Sequence, residues 1–175
     1  MNSIADTWEA ISDMIQAGPS GKNGVSSILL AAPEFDSDFS LWAGPLFAML
    51  EAGVSSAGAE PLIGVVCFHP DYKTPDGQSW PGFGHMHSVP RLSKWLKEND
   101  DELYNIVDEG DISAGGAFQR RTPHATINVL RAEQLEAAEG RRSTGILYSM
   151  NIRRLYEEGF DKLINDLKQE QNLTT

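Results

Sequence analysis

Within four residues, the chain sets an imidazole, a carboxylate and a phenol around a proline: His69, Asp71 and Tyr72 of "VCFHPDY". Histidine titrates near neutrality, so His69 suits a general base. Asp71 suits orienting an imidazole or accepting a substrate proton, and Tyr72 suits donating a hydrogen bond. These three are the candidate catalytic residues. The same residues also suit a structural turn, in which Pro70 and Asp71 fix the backbone and His69 satisfies a buried carbonyl. The preceding run "PLIGVVCF" (61–68) is apolar at both alternating sets of positions, as expected of a strand covered on both faces. It would carry the motif at its carboxyl end, where ligands gather in open α/β sheets.

A second constellation, "QRRTPHATINVLR" (119–131), groups Arg120, Arg121, His124 and Arg131 in a strongly acidic chain. Arginine forks match carboxylates and phosphates. If Thr122 and Pro123 open a helix, its first N–H groups add an anion site beside the arginines. Arg120, Arg121, Thr122, His124 and Arg131 are therefore the candidate ligand-binding residues. The plain alternative is an ordinary helix cap with surface arginines paired to acids. A third pattern, "GFGHMHS" (82–88), puts His85 and His87 two apart, able to face one way on an extended segment. With His69, His124 and Asp71 they would assemble a mononuclear metal site of nitrogen and oxygen ligands. The rival reading is a glycine- and aromatic-rich loop over a pocket. No phosphate-binding loop, G-x-S-x-G elbow, strand-linked G-x-G-x-x-G or H-E-x-x-H motif is present, which argues against ATP hydrolysis and hydride transfer on the usual nucleotide folds.

Periodicity locates the helices and strands around these residues. Residues 6–17 read as a short amphipathic helix with Trp8, Ile11, Met14 and Ile15 on one face, capped by Asp6 or Thr7. "GPSGKNG" (18–24) reads as a linker and "VSSILLAAP" (25–33) as a strand stopped by Pro33. Asp36, Ser37 and Asp38 offer caps for a helix to about Glu51, kinked at Pro45 and stopped at Gly53. Strand, helix and strand in this order imply a β-α-β unit. Residues 72–90 read as a long loop, with 73–90 as a lid over the pocket. Short helices are expected at 91–98 and 100–108, and "GDISAGGAFQRRTP" (110–123) as a second glycine-rich loop. "ATINVL" (125–130) fits a third strand or the first turn of a helix. "AEQLEAAEG" fits a short helix. One long helix from about Thr144 to Lys168 carries the stripe Ile152, Leu155, Tyr156, Phe160, Leu163, Ile164 and Leu167.

Composition bounds the classes. With 175 residues, 41% of them hydrophobic, and four tryptophans, the chain can bury a core of its own. A net charge of −11 without a basic stripe excludes a nucleic-acid binder in practice, because phosphate contacts need clustered Lys and Arg. The single cysteine, Cys67, rules out a disulfide within the chain, and inside an apolar run it acts as a small hydrophobe. No run is long enough for a membrane span and the N-terminus has no secretory h-region, so the expectation is a soluble intracellular protein, cytoplasmic or organellar, with no membrane partner.

The two histidine motifs together resemble the bacterial family designated domain of unknown function 1415. Members carry "FHPDY" after a hydrophobic strand, here Phe68 to Tyr72, and later a segment like "NRSPYPTLHLLRE", here "RRTPHATINVLRAE" (120–133). "ILLAAPEFDSDFSLW" and Tyr148 to Ile152 are similar to further parts of the pattern, so the resemblance spans roughly residues 25–165. The chain lacks the family's "GLNLCPF"-like start and is much longer between Tyr72 and Arg121. It also has His124 and Ala125 where members have an aromatic residue and a proline. The resemblance implies a shared site without naming a reaction.

The expected architecture is α/β (or α+β), a small mixed sheet of about three strands flanked by helices, with a long C-terminal helix. Residues 1–24 form an N-terminal helix and linker. Residues 25–170 form one compact domain with an inserted segment at 73–118. The expected function is an enzyme or binder of a small anionic molecule, with the His/Asp/Tyr cluster opposite the Arg/His cluster. The alternatives are a non-catalytic interaction module, working as a homo-oligomer, and a His-ligated metal-ion protein.

Overall fold

The computed structural model describes residues 3–16, 26–75, 88–133 and 144–173. Contacts divide the chain into two units, residues 1–69 with 124–139 and residues 70–123 with 140–175.

The first unit is built on three strands: β1 (Ser27–Ala31), β2 (Ile63–Phe68) and β3 (Thr126–Arg131). The segment "ATINVL" is thus the strand, and no helix opens at Thr122 and Pro123, so the expected helix-end anion site is not formed. The strand order is β1-β3-β2 and both pairings are antiparallel. The expected α/β architecture with a three-stranded sheet holds, but the pairing is antiparallel throughout and not mixed. β1 and β2 run the same way with β3 between them, so the helical crossover joins parallel strands that never touch. β3 took the centre because it is the strand able to bury one full face: Ile127 and Val129 are completely buried, on the same side as Ile63 and Cys67. Helix α1 (Ser3–Gln16) packs on all three strands, burying Thr7, Ile11 and Met14, and it starts earlier than its expected caps.

The crossover begins with a 3₁₀ turn, Pro33–Phe35, and continues as α2 (Phe39–Leu41), a π-helical turn (Trp42–Leu46) and α3 (Phe47–Ser56). Asp38 is the cap, its carboxylate accepting from Leu41 N–H at 2.9 Å. Pro45 has no N–H to give to the α pattern, and the π turn absorbs it, with Phe47 N–H donating to the Trp42 carbonyl. Gly53 does not stop the helix. Its missing side chain leaves room for the Trp8 ring, and the stop is at Gly58, whose φ is +62°.

The second unit is helical: α4 (Val89–Asn99), α5 (Asp101–Tyr104), α6 (Glu109–Phe118), α7 (Thr144–Glu158) and α8 (Phe160–Leu173). Its core joins Val89, Leu92, Leu96, Leu103, Ile112, Tyr148 and Ile152. The expected glycine-rich loop at 110–123 is mostly helix α6. Asp108 and Asp111 form a reciprocal capping box that starts it, and its glycines are where neighbouring helices come close. A Cβ on Gly115 would lie 3.1 Å from Ile152 Cγ2, and one on Gly116 would lie 2.5 Å from Leu92 Cδ1. The single long C-terminal helix is two helices, broken at Gly159, whose φ of +91° suits glycine. Arg153 clamps α7 to the α4–α5 corner, its Nε and Nη2 each donating to an Asp100 carboxylate oxygen at 2.5 Å. The expected helix "AEQLEAAEG" lies almost wholly outside the described residues.

Candidate functional site

The register of the sheet brings three segments to one end. Thr126 opens β3 opposite both Ala31 and Phe68, the last residues of β1 and β2. The 3₁₀ turn and Asp36 come just after β1, His69 directly after β2, and His124 just before β3. Ala32 N–H donates to the Ala125 carbonyl at 2.7 Å, extending the ladder into this end.

Two consecutive residues of the turn receive the two imidazoles. His69 Nε2 donates to the Phe35 carbonyl at 3.0 Å, and the His69 residue is completely buried. Its ring lies 5.2 Å from Phe39 and 6.4 Å from Trp42, centroid to centroid. His124 Nδ1 donates to Asp36 Oδ2 at 2.7 Å, while Ala125 N–H donates to Asp36 Oδ1 at 2.6 Å. A carboxylate held at both oxygens orients the imidazole it serves. It places the neutral ring's proton on Nδ1 and its basic lone pair on Nε2. Asp71 was one candidate for orienting an imidazole; in this unit Asp36 stands in that position towards His124. From the sequence, Asp36 is expected only as a helix cap. Nothing local marks it for more, since its partner lies 88 residues away.

Trp42 completes this end. Its ring packs 5.5 Å from Phe35, and the residue is wholly buried. Its Nε1–H has no hydrogen-bond acceptor among the described residues. A buried donor left unpaired costs about 1–3 kcal/mol, and a π turn of this kind is common where a helix is bent for function.

Asp71, Tyr72, Arg120, Arg121 and Thr122 belong to the second unit. Arg121 Nε donates to the Tyr72 carbonyl at 3.2 Å, and the guanidinium lies 4.7 Å from the centre of the Phe118 ring. Burial lowers the Arg121 pKa from its usual range, and the Asp71 carboxylate opposes this by favouring the charged form. Tyr72 is buried and Asp71 exposed. Arg120 and Thr122 are half-buried, Arg120 closing the end of α6 through its N–H to the Ala117 carbonyl at 2.9 Å. Arg131 stands at the far end of β3 from His124, opposite Ile63. The strand between them, Thr126–Arg131, by itself spans roughly 17 Å at about 3.4 Å per residue. His124 and Arg131, close in sequence, therefore do not form one cluster. His85 and His87, and most of the expected lid, lie outside the described residues. Among the described residues, no group of three His, Cys, Asp or Glu side chains is placed to hold a metal ion. Comparison with protein-family models, curated proteins and solved structures yields no match to this chain.

Proposed function

We propose that the first unit binds a small molecule bearing an anionic or carbonyl oxygen and moves a proton to or from it, with His124 as the acid–base group. The observation that supports this is the doubly anchored Asp36 at His124, since such a carboxylate sets the tautomer and orientation of the imidazole. Trp42 Nε1–H supplies a donor for the ligand's oxygen, and His69 holds the turn that carries Asp36. Thermal shift and native mass spectrometry against a panel of small carboxylates and phosphates test the reading. A ligand bound by the wild type and lost in His124→Gln, with unchanged circular dichroism, is the expected result.

A second reading is favoured by the complete burial of His69 and its bond to the Phe35 carbonyl. Both histidines then fasten the turn and the protein is a non-catalytic interaction module. In that case His69→Ala and His124→Gln lower the melting temperature together and no panel member binds.

A further inference from the structure

The sheet has two outer edges, and they differ. On β1, Ala32 N–H donates to the Ala125 carbonyl and Arg131 N–H donates to the Ser26 carbonyl. Backbone groups alternate in direction along an antiparallel strand. Residues 26, 28, 30 and 32 therefore face β3, and Ser27, Leu29 and Ala31 turn their N–H and C=O groups to the open edge. No described residue pairs with those groups. The same alternation on β2, where Ala132 N–H donates to the Leu62 carbonyl, turns Ile63, Val65 and Cys67 outward. Ile63 and Cys67 are buried there, whereas Ser27, Leu29 and Ala31 are all exposed, Leu29 to 66%.

Natural edges of this kind are normally blunted by a charge, a proline or a bulge. "SILLA" has no charge and no proline, in a chain that carries 39 charged side chains (14 Lys and Arg plus 25 Asp and Glu). The sheet face shared by Leu29 is also uncharged on every strand, with Val66 and Phe68 of β2 and Leu130 of β3 partly exposed on it.

From this edge we infer that β1 is a self-association strand, pairing antiparallel with β1 of a second copy about a two-fold axis at Leu29. Ser27 then faces Ala31 of the second copy, Leu29 faces Leu29, and Ala31 faces Ser27. All three facing pairs are of the kind that exchange two hydrogen bonds, so every outward group of the strand is satisfied. A copy of this chain fits better than an unrelated strand because the match is closed. Small residues oppose small residues, the exposed leucine covers its own twin, and the uncharged faces join into one continuous sheet of six strands.

Sedimentation velocity on the full chain tests this, with Leu29→Lys and Leu29→Pro. Leu29→Lys puts like charges face to face across the axis. Leu29→Pro removes only an N–H that points away from β3, which an edge strand tolerates. A wild-type dimer that becomes monomeric in both variants, with unchanged far-ultraviolet dichroism, is the expected result. If Leu29→Pro does not fold, Leu29→Lys alone decides. A wild type that stays monomeric at every concentration, or a dimer that survives Leu29→Lys, overturns the inference. So does a wild type that captures an unrelated strand while remaining monomeric itself.

Discussion

Asp36 is the residue that ties this end of the sheet together, because one carboxylate serves both the His124 ring and the Ala125 amide. In Asp36→Asn the side chain keeps an acceptor for only one of them. The His124 tautomer is then expected to change, which nitrogen NMR of the imidazole reads directly, together with a stability loss of about 1–3 kcal/mol by chemical denaturation. If the tautomer is unchanged, Asp36 does not orient the ring. Trp42→Phe tests the neighbouring donor. Removing an unpaired buried N–H takes away a penalty while keeping an aromatic ring, so folding stability is expected to move by less than about 1 kcal/mol. Ligand-induced stabilisation, by contrast, is expected to fall. A ligand bound equally well by Trp42→Phe assigns the N–H no role in recognition.

Among the elements, α6 shows how small residues set the spacing of helices. An alanine at Gly116 meets Leu92 Cδ1 at 2.5 Å and Thr74 Oγ1 at 2.6 Å, and Thr74 is itself tied to the Ser113 carbonyl at 2.6 Å. Gly116→Ala is expected to destabilise by about 1–3 kcal/mol through overpacking, read from the denaturant midpoint. Gly44→Ala is the control, since a Cβ there meets nothing within 4 Å. The α4–α5 corner adds a pH dependence. The Asp100 pKa is lowered first by its hydrogen bonds from Arg153, against the opposing effect of burial, with the Leu103 N–H helping. A depressed folded-state pKa means stabilisation that is present above the unfolded carboxylate range and lost as pH falls through the folded value. Unfolding curves of wild type and Asp100→Asn should therefore differ near neutrality and converge in acid. A difference that persists undiminished at low pH removes the ionised carboxylate from the explanation.

For the whole molecule, charge and sheet edge oppose each other. Two copies at −11 each bring −22 together, so pairing through β1 is expected to strengthen as salt screens the repulsion. A basic partner would show the reverse trend, and sedimentation across a salt series separates the two. No helix among the described residues is long and apolar enough to cross a membrane. The boundary between the two units passes through the "HPDY" motif, after His69, and again before His124. Residues adjacent in sequence thus serve different packing units.

Period and turn chemistry in the sequence were enough to locate two strands, because the apolar runs at Ser27–Ala31 and Ile63–Phe68 are short and bounded by Pro, Gly or polar residues, whereas Thr126–Arg131 fitted a strand or a helical turn until its pairing with β1 and β2 decided it. They also placed His69 just beyond β2, put Asp38 among the caps and buried Cys67 as a small hydrophobe. Glycines misled where they mattered for packing. At Gly115 and Gly116 the signal for a loop is the same as the signal for close helices, and only the positions of Ile152 and Leu92 distinguish them. The partner of His124 was equally beyond reach. Asp36 meets it only after β3 inserts between β1 and β2, a choice made by burial of Ile127 and Val129 and invisible to any local pattern. Local residue types determined two of the three strands and most of the helices. Long-range packing alone decided which carboxylate faces which imidazole and which strand edge is left open.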